Sequence, residues 1–177
     1  MERQLAEVQV PMIVEAVGCA GRRLVARLAA RSSQESLAAR FFLPASRRVG
    51  RPLLELLPGP AEGRAYLAMD DGRPVGLVNV VPGGPHEVEI AVLVADRWQH
   101  RGIGRALLEH ALADPRWAGQ TVHAAVRPDN IAVLTLLRSL HRPMRLVDHL
   151  PGEYHFELGT RADTEADTPA EAPRLAG

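Results

Sequence analysis

Gln99-His100-Arg101-Gly102-Ile103-Gly104 decides the reading of this chain. The run Val88-Glu89-Ile90-Ala91-Val92-Leu93-Val94 before it has the continuous apolar character of a buried strand. Arg105-Ala106-Leu107-Leu108-Glu109-His110-Ala111-Leu112 after it has the spacing of an amphipathic helix. Two glycines, two apart, at a strand-to-helix turn let backbone approach a ligand closely. The first turn of the helix adds unpaired N–H groups and the positive end of a dipole. Together they make an anion site suited to phosphate.

The surrounding chain fits one domain. The 177 residues and 46% hydrophobic content allow a packed core. No apolar run approaches the roughly 20 residues that span a bilayer, and no signal-peptide pattern opens the chain. The expectation is a cytoplasmic protein. A formal charge of zero argues against a nucleic-acid partner, whose phosphates demand a basic surface. All 21 basic residues are arginine, so no lysine can act as a Schiff base or nucleophile. The single cysteine, Cys19, cannot form an internal disulfide and is expected to be a buried structural thiol. The seven histidines show no metal-ligand spacing, so no metal site is expected.

Residues 8–17 read as a strand despite Pro11, and residues 21–30 as a helix. Ser32 stands three before Glu35 in a capping-box pattern, predicting a short helix to about Phe41. Residues 44–63, rich in Pro, Gly and Arg, read as irregular, with an apolar stretch at 53–57. Residues 65–69 and 74–81 read as a hairpin about Asp70-Asp71-Gly72-Arg73. Pro82-Gly83-Gly84-Pro85 is a second turn, leading into a strand over 86–94. Residues 121–126 form the next strand, and Pro128-Asp129-Asn130 starts another helix. Residues 145–148 and 153–158 can close a hairpin. The order predicts a mixed α/β (α+β) layer fold over 1–158. The polar tail, 159–177, is expected to be disordered.

Gln99, Gly102 and Gly104 together resemble the acyl-CoA motif Gln/Arg-x-x-Gly-x-Gly/Ala of the GNAT acyltransferases. The likeness covers about residues 65–158. It implies a mixed sheet of about six to seven strands, splayed at the acyl-CoA cleft and flanked by about four helices. It implies acetyl-CoA as cosubstrate, with the backbone of Gln99, His100, Arg101, Gly102, Ile103, Gly104 and Arg105 cradling the pyrophosphate. The edge at Val92, Leu93 and Val94 would pair with the pantetheine arm. Asn130 would contact the same cofactor. Many relatives place a tyrosine acid seven residues after that asparagine. Here the position is Leu137, and the helix ends in His141-Arg142 where many relatives have Gly-Phe.

Residues 36–42, Glu89-Ile90-Ala91-Val92 and the tyrosine-less helix resemble the catalytic domain of bacterial, Pat-like protein lysine acetyltransferases. An ammonium with pKa near ~10.4 must lose a proton before it attacks a thioester. Glu89 is the candidate base, at the spacing of the Pat-like glutamate. Glu87 is the reserve, on the same strand face. Partial burial among Val88, Ile90 and Val92 would raise the carboxyl pKa. The alternative is a solvated acidic face. The N–H of Val94 is the candidate oxyanion donor. Arg101 and Arg105 are candidates for cofactor phosphates or simply solvated. Arg47, Arg48 and Arg51 form a basic cluster in the irregular segment, either near the acceptor entrance or simply solvated. Trp98 and Trp117 are read as core residues, and His100 as facing solvent or phosphate.

The expected activity is direct acetyl transfer to a primary amine, with a protein lysine as leading acceptor. A small-molecule amine acetyltransferase and a non-catalytic acyl-CoA sensor are the alternatives. The closing strands could pair with a second copy of the chain.

Overall fold

The computed structural model describes residues 11–16, 18–44 and 46–159. The element order is β1 (Met12–Glu15), α1 (Gly18–Ala29), α2 (Gln34–Arg40), α3 (Arg51–Leu54), β2 (Arg64–Asp70), β3 (Arg73–Gly84), β4 (Glu87–Val94), α4 (Ile103–Leu112), β5 (Thr121–Val126), α5 (Ile131–Ser139), β6 (Met144–Leu150) and β7 (Glu153–Leu158). Single 3-10 turns lie at Asp96–Trp98 and Pro115–Trp117. The seven strands form one mixed sheet in the order β1-β2-β3-β4-β5-β7-β6. Only β4 and β5 are parallel.

Strand alternation builds two cores, one on each face. Leu67, Leu77 and Leu93 pack with Val25, Leu28, Leu37 and Leu57 on one side. Val78, Val80, Val88 and Ile90 pack with Ile103, Leu107, Leu108 and Leu134 on the other. The contact of α4 with β3 is close. A Cβ on Gly76 would lie 2.8 Å from a Leu107 methyl, so a side chain there would displace the helix. Asn79 is the buried polar residue of this framework, at 1% exposure. Trp98 and Trp117 are partly buried against the cores, as expected.

The β2–β3 hairpin forms where the sequence places it. Asp71 (φ +47°) and Gly72 (φ +69°) supply the two left-handed residues of a primed turn. Other expectations are corrected. The cap of α2 is Ser33, which accepts from the Ser36 N–H; Ser32 instead donates to the Leu28 carbonyl. Residues 44–63 hold a helical turn, α3, started by Pro52 in its first turn, which brings the helices to five. The 82–85 segment is mostly strand. β3 runs to Gly84 with a register shift between Pro82 and Gly84, where proline's missing donor is tolerated. The first helix begins at Gly18, and Cys19 on its first turn is exposed, not buried. Of the strand expected over 8–17, residues 8–10 and 17 lie outside the described residues, as does the tail from 160 onward. No helix among the described residues is long and apolar enough to cross a membrane.

Away from the β4–β5 gap, a polar network ties β2 to the α4–β5 connection. Tyr66 donates to Asp114, and Arg116 binds the same carboxylate at 2.6 Å. The Arg116 hydrogen bonds, helped by Tyr66, hold the Asp114 carboxyl well below the usual carboxylate range. Burial, and then the bond to Asp114, push the Tyr66 phenol up to about 12.

Two stability predictions follow from these contacts. Leu107→Ala removes a fully buried side chain and should cost about 3 kcal/mol, read as a lower urea midpoint at unchanged slope. Asp114→Asn should destabilise at pH 7. A carboxyl whose folded pKa is depressed stabilises above its unfolded value, near ~3.9, and loses that contribution as pH falls further. The gap between wild type and D114N in melting temperature should therefore narrow below about pH 4.

Candidate active site

The parallel pair β4–β5 is short. Glu87, Val88 and Glu89 stand opposite Thr121, Val122 and His123, and no further pairs follow. Past this point Ile90–Val94 and Ala124–Val126 diverge around a cleft of about 810 Å3. The expected splay thus begins at Glu89 and His123. The Ala95 N–H donates to the Val75 carbonyl at 2.9 Å. In the antiparallel register, Val94 opposite Gly76 is therefore a non-hydrogen-bonded position. By alternation the N–H groups of Val92 and Val94 point away from β3 and into the gap. Leu93 turns its N–H toward β3 and its side chain into the core.

The glycine loop closes the wide end of the cleft. The Gln99 side chain donates to the Val94 carbonyl at 3.0 Å and to Ser36 Oγ at 3.1 Å. His100 (φ +58°) and Gly102 (φ +79°) both take left-handed backbone, and α4 starts at once. Gly102 is the N-cap and offers no side-chain cap, so the first N–H groups of α4 are left for a ligand. The two glycines do different work. A Cβ on Gly102 would meet nothing within 4 Å, and the positive φ is what requires glycine. A Cβ on Gly104 would lie 3.0 Å from Leu136, so this glycine lets α4 approach α5. His100 and Arg101 are exposed. Arg105 forms an ion pair with Glu109 at 2.8 Å. Asn130 lines the cleft, and its Oδ1 caps α5 by accepting from the Val133 N–H at 3.2 Å.

Sequence reasoning missed Asp96. Its carboxylate accepts from the Ser33 N–H and Oγ, both at 2.7 Å, and from Ser36 Oγ at 2.9 Å. Burial opposes ionisation there, but these bonds prevail and hold the carboxyl below its usual range. The result fastens the start of α2 to the loop that follows β4. The one sequence signal is a carboxylate two residues past the strand.

Glu89 lies in the wall between the cleft and a second cavity of about 410 Å3. His123, Asp148, Glu153 and His155 line that second cavity with it. Its expected burial is corrected: Glu89 is exposed, because alternation turns Val88 and Ile90 to the opposite face. Glu87 shares its face but lines neither cavity; its carboxylate lies near Gly84 at the β3–β4 turn. Leu137 is buried at 2% and brings no proton to the cleft. Arg47, Arg48 and Arg51 also line neither cavity, and Arg51 pairs with Glu55. Among the described residues no three His, Cys, Asp or Glu side chains gather as a metal-holding group.

Comparison with known proteins agrees with this geometry. Residues 31–141 match the model of the acetyltransferase (GNAT) family. No curated protein matches. Among solved structures, the GNAT domain of S. lividans PAT superposes with a TM-score of 0.68 at 22% identity, covering 82% of this chain and 88% of that one. A domain from Methanocaldococcus jannaschii gives 0.63 at 20% identity, over 83% and 97%. The ribosomal-protein-alanine N-acetyltransferase of Brucella melitensis gives 0.60 at 20%, over 82% and 98%. With a splayed β4–β5 pair, a glycine loop opening α4 and a family match over most of its length, the chain belongs to the GNAT acetyltransferases.

Proposed function

We propose that this acetyltransferase carries acetyl from acetyl-CoA to the side-chain amine of a protein lysine, with Glu89 as the base. The observation that carries the reading is the position of Glu89, at the apex of the fork and in the wall of both cavities. The cleft takes the acyl-CoA. The N–H groups from Gln99 to Arg105 face its pyrophosphate, Asn130 contacts it at the start of α5, and the edge at Val92 and Val94 pairs with pantetheine. The second cavity, walled by Glu89, Asp148 and Glu153, suits a cationic side chain reaching in from a partner protein.

In the transfer, Glu89 takes a proton from the acceptor ammonium, directly or through water. The amine nitrogen then attacks the thioester carbonyl carbon. The C–N bond forms, and the Val94 N–H stabilises the oxyanion. The C–S bond breaks as the intermediate collapses. Leu137 donates no proton, so the sulfur leaves as thiolate, which a thiol pKa of about 8.5 tolerates. The nitrogen's second proton passes to solvent.

Glu89→Gln should lower kcat/KM for a lysine peptide by about 10²- to 10⁴-fold, with acetyl-CoA affinity unchanged by calorimetry. Full activity in E89Q would remove Glu89 from the chemistry. Wild-type protein that bound acetyl-CoA and turned over small amines but no peptide would place the acceptor among small molecules instead. Gly104→Glu drives a charged side chain toward Leu136 and the anion loop, and should abolish acetyl-CoA binding while circular dichroism still reports a fold. Unchanged affinity in folded G104E would contradict the role given to the loop.

A further inference from the structure

Arg40 closes α2 and turns its guanidinium toward the sheet. Its Nη2 donates to Asn79 Oδ1 at 3.0 Å, and Asn79 Nδ2 donates to the Leu57 carbonyl at 3.0 Å. This relay fixes the cation from behind. Asn79 stands opposite Ala91 in the β3–β4 register, and Glu89 is two residues away on the same face. Arg40 and Glu89 therefore both line the cleft, with no direct ion pair between them. Arg40 Nε is enclosed and has no acceptor. Burial weakens the guanidinium's hold on its proton, and the charge of Glu89 works against that.

Other charged groups surround Glu89. Asp148, Glu153 and His155 face it from β6 and β7, His123 from β5, and Glu87 precedes it on β4. The carboxylates among them add negative charge around Glu89. Arg127, in the cleft wall, is already paired with Asp129. A fixed cation opposes the carboxylates, and Arg40 is placed to supply it.

We propose that Arg40 is a positioning residue for the transfer: anchored by Asn79, its guanidinium keeps Glu89 an ionised carboxylate and disfavours the acceptor while it is still an ammonium. This rests on the reading of Glu89 as base. The proton lost by the amine goes to Glu89, and Arg40 gains and loses nothing. Its charge acts on both partners in one direction, so its loss should move the acidic limb of the pH profile upward.

The test compares kcat/KM against pH, with acetyl-CoA and a lysine peptide, in wild type, Arg40→Gln, Arg40→Lys and Glu89→Gln. R40Q removes the charge and keeps a polar side chain, while R40K keeps the charge. R40Q should shift the acidic limb up by about one pH unit, and R40K should leave it near the wild-type position. Should R40Q not fold, Arg40→Met takes its place with the same expected shift. A uniform loss of rate in the charge-removing variant, with the limb unmoved, would make Arg40 merely structural and overturn the inference. Loss of the limb in E89Q supports the base assignment on its own. An unaltered profile in E89Q would overturn that assignment, whatever Arg40 does.

Discussion

The rest of the site depends on an interruption of pairing. Parallel strands β4 and β5 share three residue pairs and then separate. A strand edge that leaves its partner exposes N–H and C=O groups that must find water or a ligand. Here the exposed N–H groups belong to Val92 and Val94, on the strand that also carries Glu89. One backbone decision thus sets a free strand edge and a carboxylate three to five residues apart along the same strand. Partly extended edges of this kind bind by strand addition, in which main-chain bonds give affinity without a dedicated side chain.

Helix α2 gives that fork its surroundings. Ser33 and Ser36 at its start grip Asp96, Gln99 reaches Ser36, and Arg40 at its end grips Asn79. The seven-residue helix is thereby fastened at both ends to the elements that shape the cleft. A short helix has little intrinsic stability, so these tertiary bonds largely determine where it sits. The glycine loop and the charge beside Glu89 are consequently connected through one helix. The charge asymmetry of the two cavities fits the same arrangement. Arg40, Arg105 and Arg127 share the cleft lining with Glu35, Glu89, Asp96 and Asp129, whereas carboxylates without arginine line the second cavity.

Much of the fold was legible because local chemistry and global fold agree. Asp71-Gly72 demands left-handed backbone, and that demand specifies the hairpin turn. Gln99 to Gly104 combines glycine freedom with a helix start, and Asn130 combines a cap with a cleft position. What could not be read depends on contacts far apart in sequence. Asp96 and Ser33 are 63 residues apart, and Arg40 and Asn79 are 39 apart, so no local pattern announces either bond. The packing of Gly104 against Leu136 on another helix is likewise a contact that no local pattern announces. Residue type alone suggests a buried Cys19, but the helix face it occupies looks outward. The apolar neighbours of Glu89 in sequence do not bury it, because adjacent residues on a strand point to opposite faces.

The most direct test of this account is hydrogen–deuterium exchange with and without acetyl-CoA. The account predicts slowed exchange at Val92 and Val94 and across Gln99 to Arg105, while the β6–β7 hairpin changes little. Protection absent from the β4 edge, or confined to elements remote from the fork, would contradict it.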